Sequence, residues 1–242
     1  MDKHHFVHWK REGDIGIISL SNEKENYLEV PDFIDIEKLK KWTEEPGLKG
    51  IIIHGLGRNF SVGANLKSLN ELAKNYKLLS ERIIQGKNIL NYIENLEIPV
   101  IAAINGICFG GGLEIALACS MRIASNNALF AFPEINHGLI PGLGGIFRLV
   151  KLIKNRAFEI ILKGDMMNAE KALEIGLIDD ITNDKDAFKY AQEKMLSMTG
   201  GRSTELIHFA MKALKNVDKL SKEDALQEET DMFCKLAANM KI

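Results

Sequence analysis

The chain has 242 residues, 46% of them hydrophobic, with 31 lysines and arginines against 33 acids for a net charge of −2. That length suits one catalytic domain with a small appendage and a sizeable core, and balanced charge without a basic tract argues against a nucleic-acid partner. The odd set Cys108, Cys119 and Cys234 has no metal spacing and fits a reducing cytosol; no apolar run is long enough to span a bilayer, and the charged N-terminus lacks a signal-peptide core.

His4, His5 and His8 are metal-ligating types, yet at this position they read as a mobile terminus. Residues 6–10 and 15–20 alternate around Gly13-Asp14 as a β-hairpin does. Pro31-Asp32 opens an expected helix with Phe33, Ile36, Leu39 and Trp42 on one face, ended by Pro46-Gly47. Residues 50–55 read as a short buried strand. Strand, helix, strand is a crossover unit, which predicts α/β architecture with parallel strands. After the small-residue turn Ser61-Val62-Gly63-Ala64, residues Leu72, Tyr76, Leu79, Ile83, Leu90 and Ile93 recur near helical spacing as a core face that Gly86 interrupts.

Residues 98–145 organise the rest. An apolar strand runs through 98–104, Asn105-Gly106 turns it, and Gly110-Gly111-Gly112 leads into Leu113-Glu114 at the start of an apolar helix. Glycines allow a ligand close approach and a helix start offers unpaired N–H groups, so the triplet suits either an oxyanion hole or a tight turn under a helix crossing. Neither nucleotide-binding glycine fingerprint is present. Glu114 reads either as an acid complementing the helix dipole or as a carboxyl in a dry pocket suited to proton transfer. Glu134, after Pro133, reads as a surface acid or as a second such group. Residues 121–124 and 128–132 are expected as strands, 146–152 and 156–162 as helices, and Asn168 as the N-cap of 169–174. Helices are expected over 187–198 and 204–217, then a third after the capping box at Ser221-Asp224, with Leu226, Phe233, Leu236 or Ala237, and Met240 on one face.

Five segments in order resemble the enoyl-CoA hydratase/isomerase (crotonase) family: 57–65, 98–106 with Gly110 to Glu114, Phe132-Pro133-Glu134-Ile135, 138–145, and 162–165 with 169–177. The resemblance implies a crotonase-like α/β spiral core of repeated ββα units over 1–185 and a C-terminal helical oligomerisation region over 186–242. It implies a cytoplasmic hydratase adding water to a 2-enoyl-CoA, with no metal and no cofactor, the coenzyme A thioester (or a carrier-protein-bound acyl group) being substrate. Ala64 and Gly111 would donate the oxyanion-hole amides, Glu114 would activate water, and Glu134 would handle the α-carbon proton. Ser61, Gly63, Lys67, Gly110, Pro133 and Gly142 would join Ala64 and Gly111 in binding substrate, although from the residues alone Lys67 reads first as a solvated lysine. The C-terminal helices would build a homotrimer or dimer of trimers.

Several positions depart from the family pattern. Asn26-Tyr27-Leu28 lacks the usual lead-in, Asn65 stands for an aspartate, His137 occupies a usually apolar site and reads as a packing histidine, and Phe147 replaces a frequent glutamine. Other reactions of the fold (isomerase, decarboxylase, hydrolase) use the same hole, though keeping both acids favours the hydratase. A non-catalytic subunit is the alternative from another class.

Overall fold

The computed structural model describes His4 and residues 6–183 and 186–240. His5 therefore lies outside the described residues. His4 is buried with its Nε2 2.6 Å from the Asp32 carbonyl, in place of the expected loose terminus, while His8 is exposed.

Strands β1 (Val7–Glu12) and β2 (Ile15–Leu20) form the expected hairpin, with Glu12 opposite Ile15. β3 (Gly50–Gly55), β4 (Val100–Ile104), β6 (Met121–Ser125) and β9 (Asp180–Thr182) then add in parallel to give a six-stranded sheet in the order β1-β2-β3-β4-β6-β9. A smaller sheet pairs β5 (Ile107–Phe109) with β7 (Leu129–Ala131) in parallel and β7 with β8 (Met167–Asn168) antiparallel. The two strands expected around residues 125–127 thus belong to different sheets.

Period-2 alternation explains how the large sheet is covered. Ile51 and Ile53 of β3 enter the main core, whereas Ile52, with Ile15, Ile101 and Ile123, meets Ala187, Ala191 and Met195 of helix α8 (Ala187–Thr199) on the opposite face. The main core is filled by α1 (Ile36–Thr43), α3 (Tyr76–Asn95), α4 (Gly111–Ala118), α5 (Gly145–Ile153), α6 (Arg156–Lys163) and α7 (Ala169–Glu174), whereas α2 (Leu66–Ala73) buries no residue fully. Every residue of α4 is buried.

Three helix expectations need correction. α1 starts at Ile36, because the Asp35 carboxylate caps the amides of Glu37 and Lys38 at 2.9 Å; Phe33 is buried ahead of the helix. Tyr76 is 83% exposed at the first position of α3 and takes no part in the core. Gly86 does not interrupt α3 but sits buried within it, and a Cβ there would lie 2.5 Å from the Pro31 carbonyl oxygen. The last strand is short. Leu177 and Ile178 are buried before β9, and pairing begins at Asp180. The Asn168 cap (2.9 Å to the Lys171 amide) and the Ser221 cap (3.1 Å to the Asp224 amide) stand as read.

After α8 come α9 (Thr204–Lys219) and α10 (Lys222–Ala238). α9 turns Ile207 and Met211 to the core and leaves Leu214 and Val217 exposed, as α10 leaves Leu226 and Phe233. Among the described residues no helix is long and apolar enough to cross a membrane.

Candidate active site

The site grows from three loops that the two sheets bring together. The first is the turn at 61–65. Leu28 and Ala64 form an isolated parallel bridge in which the Leu28 amide donates to the Gly63 carbonyl (2.9 Å) and the Asn65 amide to the Leu28 carbonyl (3.0 Å). Successive backbone groups of an extended chain point to opposite sides, so the Ala64 N–H faces away from Leu28. Ser61 bridges to Cys108 in the same way and ties this turn to β5.

The second loop is the start of α4. Gly110 sits at φ 49°, a conformation that favours glycine, and makes no side-chain cap. Among the described residues neither the Gly111 nor the Ala64 amide has an acceptor. Gly63, at φ 90°, packs so closely on this segment that a Cβ would lie 2.8 Å from the Phe109 carbonyl oxygen and 3.4 Å from the Gly111 nitrogen. The Ala64 and Gly111 turns are therefore immediate neighbours.

The acids complete the arrangement. Glu114 is 2% exposed, and its Oε1 accepts from the amides of Leu143 and Gly145, both at 2.7 Å. Burial pushes its carboxyl up to about 7, with the neighbouring Glu134 charge acting in the same direction; the Gly145 and Leu143 amides and the Arg148 guanidinium oppose this. Glu134 rides on a 3₁₀ turn, Pro133–His137, closed by left-handed Gly138. Its Oε1 lies over Gly110, where a Cβ would be 2.8 Å away, and its buried Oε2 has no hydrogen-bond partner among the described residues. Burial raises this carboxyl to about 7 as well.

The third loop, 141–145, is held from behind. Arg148, buried on α5, donates to the Leu143 carbonyl (3.0 Å), to Glu94 (2.9 Å) and to Asn91 (2.7 Å). Sequence reasoning missed this residue; the signal was a charge, one of two with Lys151, in the otherwise apolar run of α5. Gly142 and Pro133 are half-buried beside the acids. Ser61 does not reach the cleft. It is fully buried, donates to the Asn26 carbonyl (2.7 Å) and accepts from the Gly63 amide (3.1 Å), so it shapes the turn from below. Lys67 stands exposed on the first turn of α2, and His137 is exposed rather than packed. An open recess of about 580 Å³ beside the Ala64 turn is lined by Glu29, Lys67, Ser68 and Leu72, and another of about 680 Å³ beside the 141–145 loop by Lys87, Pro141, Gly144 and Phe147.

Two amides without an acceptor among the described residues, in the same loop cluster as two acids raised to about 7, can hold an anionic oxygen and exchange a proton with carbon or water. This fold and this site define a crotonase-type enzyme. The sequence model of the enoyl-CoA hydratase/isomerase family matches residues 12–242, and the chain belongs to that family. It is 31% identical over 223 residues to a Bacillus subtilis (strain 168) protein named "Probable enoyl-CoA hydratase", covering 90% of this chain and 85% of that one. It is 37% identical over 167 residues to the fatty acid oxidation complex subunit alpha of Shewanella loihica, covering 66% of this chain but only 23% of that subunit. The crystal structure of enoyl-CoA hydratase from Bacillus anthracis superposes with a TM-score of 0.84 at 28% identity, covering 95% of this chain and 90% of that one. That from Thermoplasma volcanium superposes with a TM-score of 0.82 at 27% identity, covering 96% and 92%.

Proposed function

We propose that the protein hydrates a 2-enoyl thioester of coenzyme A or a carrier pantetheine. The observation that carries this reading is the pair Glu114 and Glu134, both raised to about 7 beside the free Ala64 and Gly111 amides. In the proposed reaction the two amides polarise the thioester carbonyl. Glu114, as carboxylate, takes a proton from water while the water oxygen bonds to the β-carbon. The double-bond electrons move into an enolate whose oxygen the amides hold. Protonated Glu134 then delivers its proton to the α-carbon, closing the 3-hydroxyacyl product, and proton exchange between the acids resets the pair. Two neighbouring carboxyls that both lose their protons near pH 7 suit this exchange. The exposed apolar residues Leu214, Val217, Leu226 and Phe233 support assembly as a homotrimer or a dimer of trimers.

The test is to mix purified protein with crotonyl-CoA and follow loss of the conjugated-enoyl ultraviolet absorbance, identifying 3-hydroxybutyryl-CoA by mass. A parallel assay with a 3-enoyl-CoA separates hydration from isomerisation. Turnover of the 3-enoyl substrate alone would replace this reading with an isomerase, and a failure of both would remove crotonyl-type hydration from consideration.

A further inference from the structure

Asn65 departs from the family's usual acid, and the structure supplies a reason for the change. Its side chain is used at both ends. Oδ1 caps α2 by accepting from the amides of Lys67 (3.0 Å) and Ser68 (3.3 Å), while Nδ2 donates to both oxygens of Glu29 (3.1 and 3.2 Å). Glu29 also accepts from the Ser68 hydroxyl at 2.6 Å and from the Asn22 side-chain amide at 3.1 Å. An aspartate at this position would cap the helix equally well but has no donor for a carboxylate, and would set two like charges in contact.

The place of this cluster gives it consequence. Glu29 follows Leu28, whose amide and carbonyl bond to Gly63 and Asn65 on either side of Ala64. We propose that Glu29 is a positioning residue for the Ala64 amide, gripping the turn through Asn65 and Ser68, and that Asn65 replaces an acid because its amide must donate to that carboxylate. The inference rests on the hydratase reading for its catalytic consequence, but not for the grip itself. Two segments more than thirty residues apart in sequence are thereby locked in register at the edge of the substrate cleft.

The test is a charge transposition in the full-length protein. Asn65→Asp leaves two carboxylates facing each other; adding Glu29→Gln exchanges donor and acceptor and restores the pairing. Two readouts are taken: hydrogen exchange at the backbone amides of positions 28 and 65, and steady-state kinetics on crotonyl-CoA. Asn65→Asp is expected to speed exchange and to lower kcat, each by about tenfold, with KM within about twofold, as expected for a displaced oxyanion donor. The double variant should recover both. Should Asn65→Asp fail to fold, Ser68→Ala removes one grip and should lower kcat by about threefold with faster exchange at the same amides. Unchanged exchange in Asn65→Asp, loosened amides with unchanged kcat, or a double variant as impaired as the single would each overturn the proposal. Absence of wild-type turnover would sink the hydratase reading instead, and the exchange comparison would still decide whether Glu29 grips the turn.

Discussion

Glu114 is 2% exposed with its carboxyl pushed up to about 7 from an ordinary 4.5, so the folded chain holds this proton more tightly than the unfolded one. The sign of the linkage follows. Below about pH 4.5 both states are protonated and the group contributes nothing; as pH rises towards 7 the fold loses stability, and above 7 the full penalty of about 3 kcal/mol applies. Gln at this position still accepts from the Leu143 and Gly145 amides without the charge. Glu114→Gln should therefore be more stable than wild type by about 1–3 kcal/mol near pH 8, and equal to it in acid. Urea denaturation at both pH values checks this, and equal stability near pH 8 would contradict the burial account. The same variant and Glu134→Gln should each lose about 10²-fold or more in kcat, and near-wild-type turnover in either would remove that acid from the mechanism. Glu114 stood out in the sequence because an ionisable group inside an apolar run must be explained, whereas Glu134 stood out through the family resemblance. Glu29, Arg148 and the true position of Ser61 were not, since their meaning lies in hydrogen bonds to residues distant in the chain, which no local pattern encodes.

At the scale of elements, Gly86 makes the packing argument quantitative. Helix propensity favours alanine over glycine by about 1 kcal/mol. In α3, however, a Cβ would meet the Pro31 carbonyl oxygen at 2.5 Å and Leu143 Cδ2 at 2.7 Å. Gly86→Ala should therefore be a net destabilisation of about 1–3 kcal/mol, measured by chemical denaturation; a gain in stability would show that 31–34 and the 141–145 loop yield easily. Legibility at this scale followed periodicity and caps. The hairpin, the parallel strands and the Asn168 and Ser221 caps were readable. The start of α1 was not, because Pro31-Asp32 imitates a helix opening while Asp35 makes the actual cap. The assignment of β6 and β7 to separate sheets was hidden as well, since strand length and apolarity do not state which neighbour a strand will find.

For the whole molecule, the exposed apolar residues set the expectation. Leu214 and Val217 on α9 are 67% and 73% exposed, and Phe233 on α10 is 70% exposed. Light scattering on a sizing column should give three or six times the chain mass, and Leu214→Glu with Val217→Glu should shift the protein towards smaller species; a wild-type monomer would mean these faces serve another purpose.

The Ser61–Cys108 bridge bears on how the chain can be divided. The two free amides belong to stretches that precede and follow α3, and the bridge is what draws them together. A break between α2 and α3, at Lys74–Asn75, would leave one amide on each fragment and a complete pair on neither. Reassembly of two such pieces, each inert alone, would announce itself as recovered turnover, which makes this enzyme a candidate reporter for fragments brought together by fused partners.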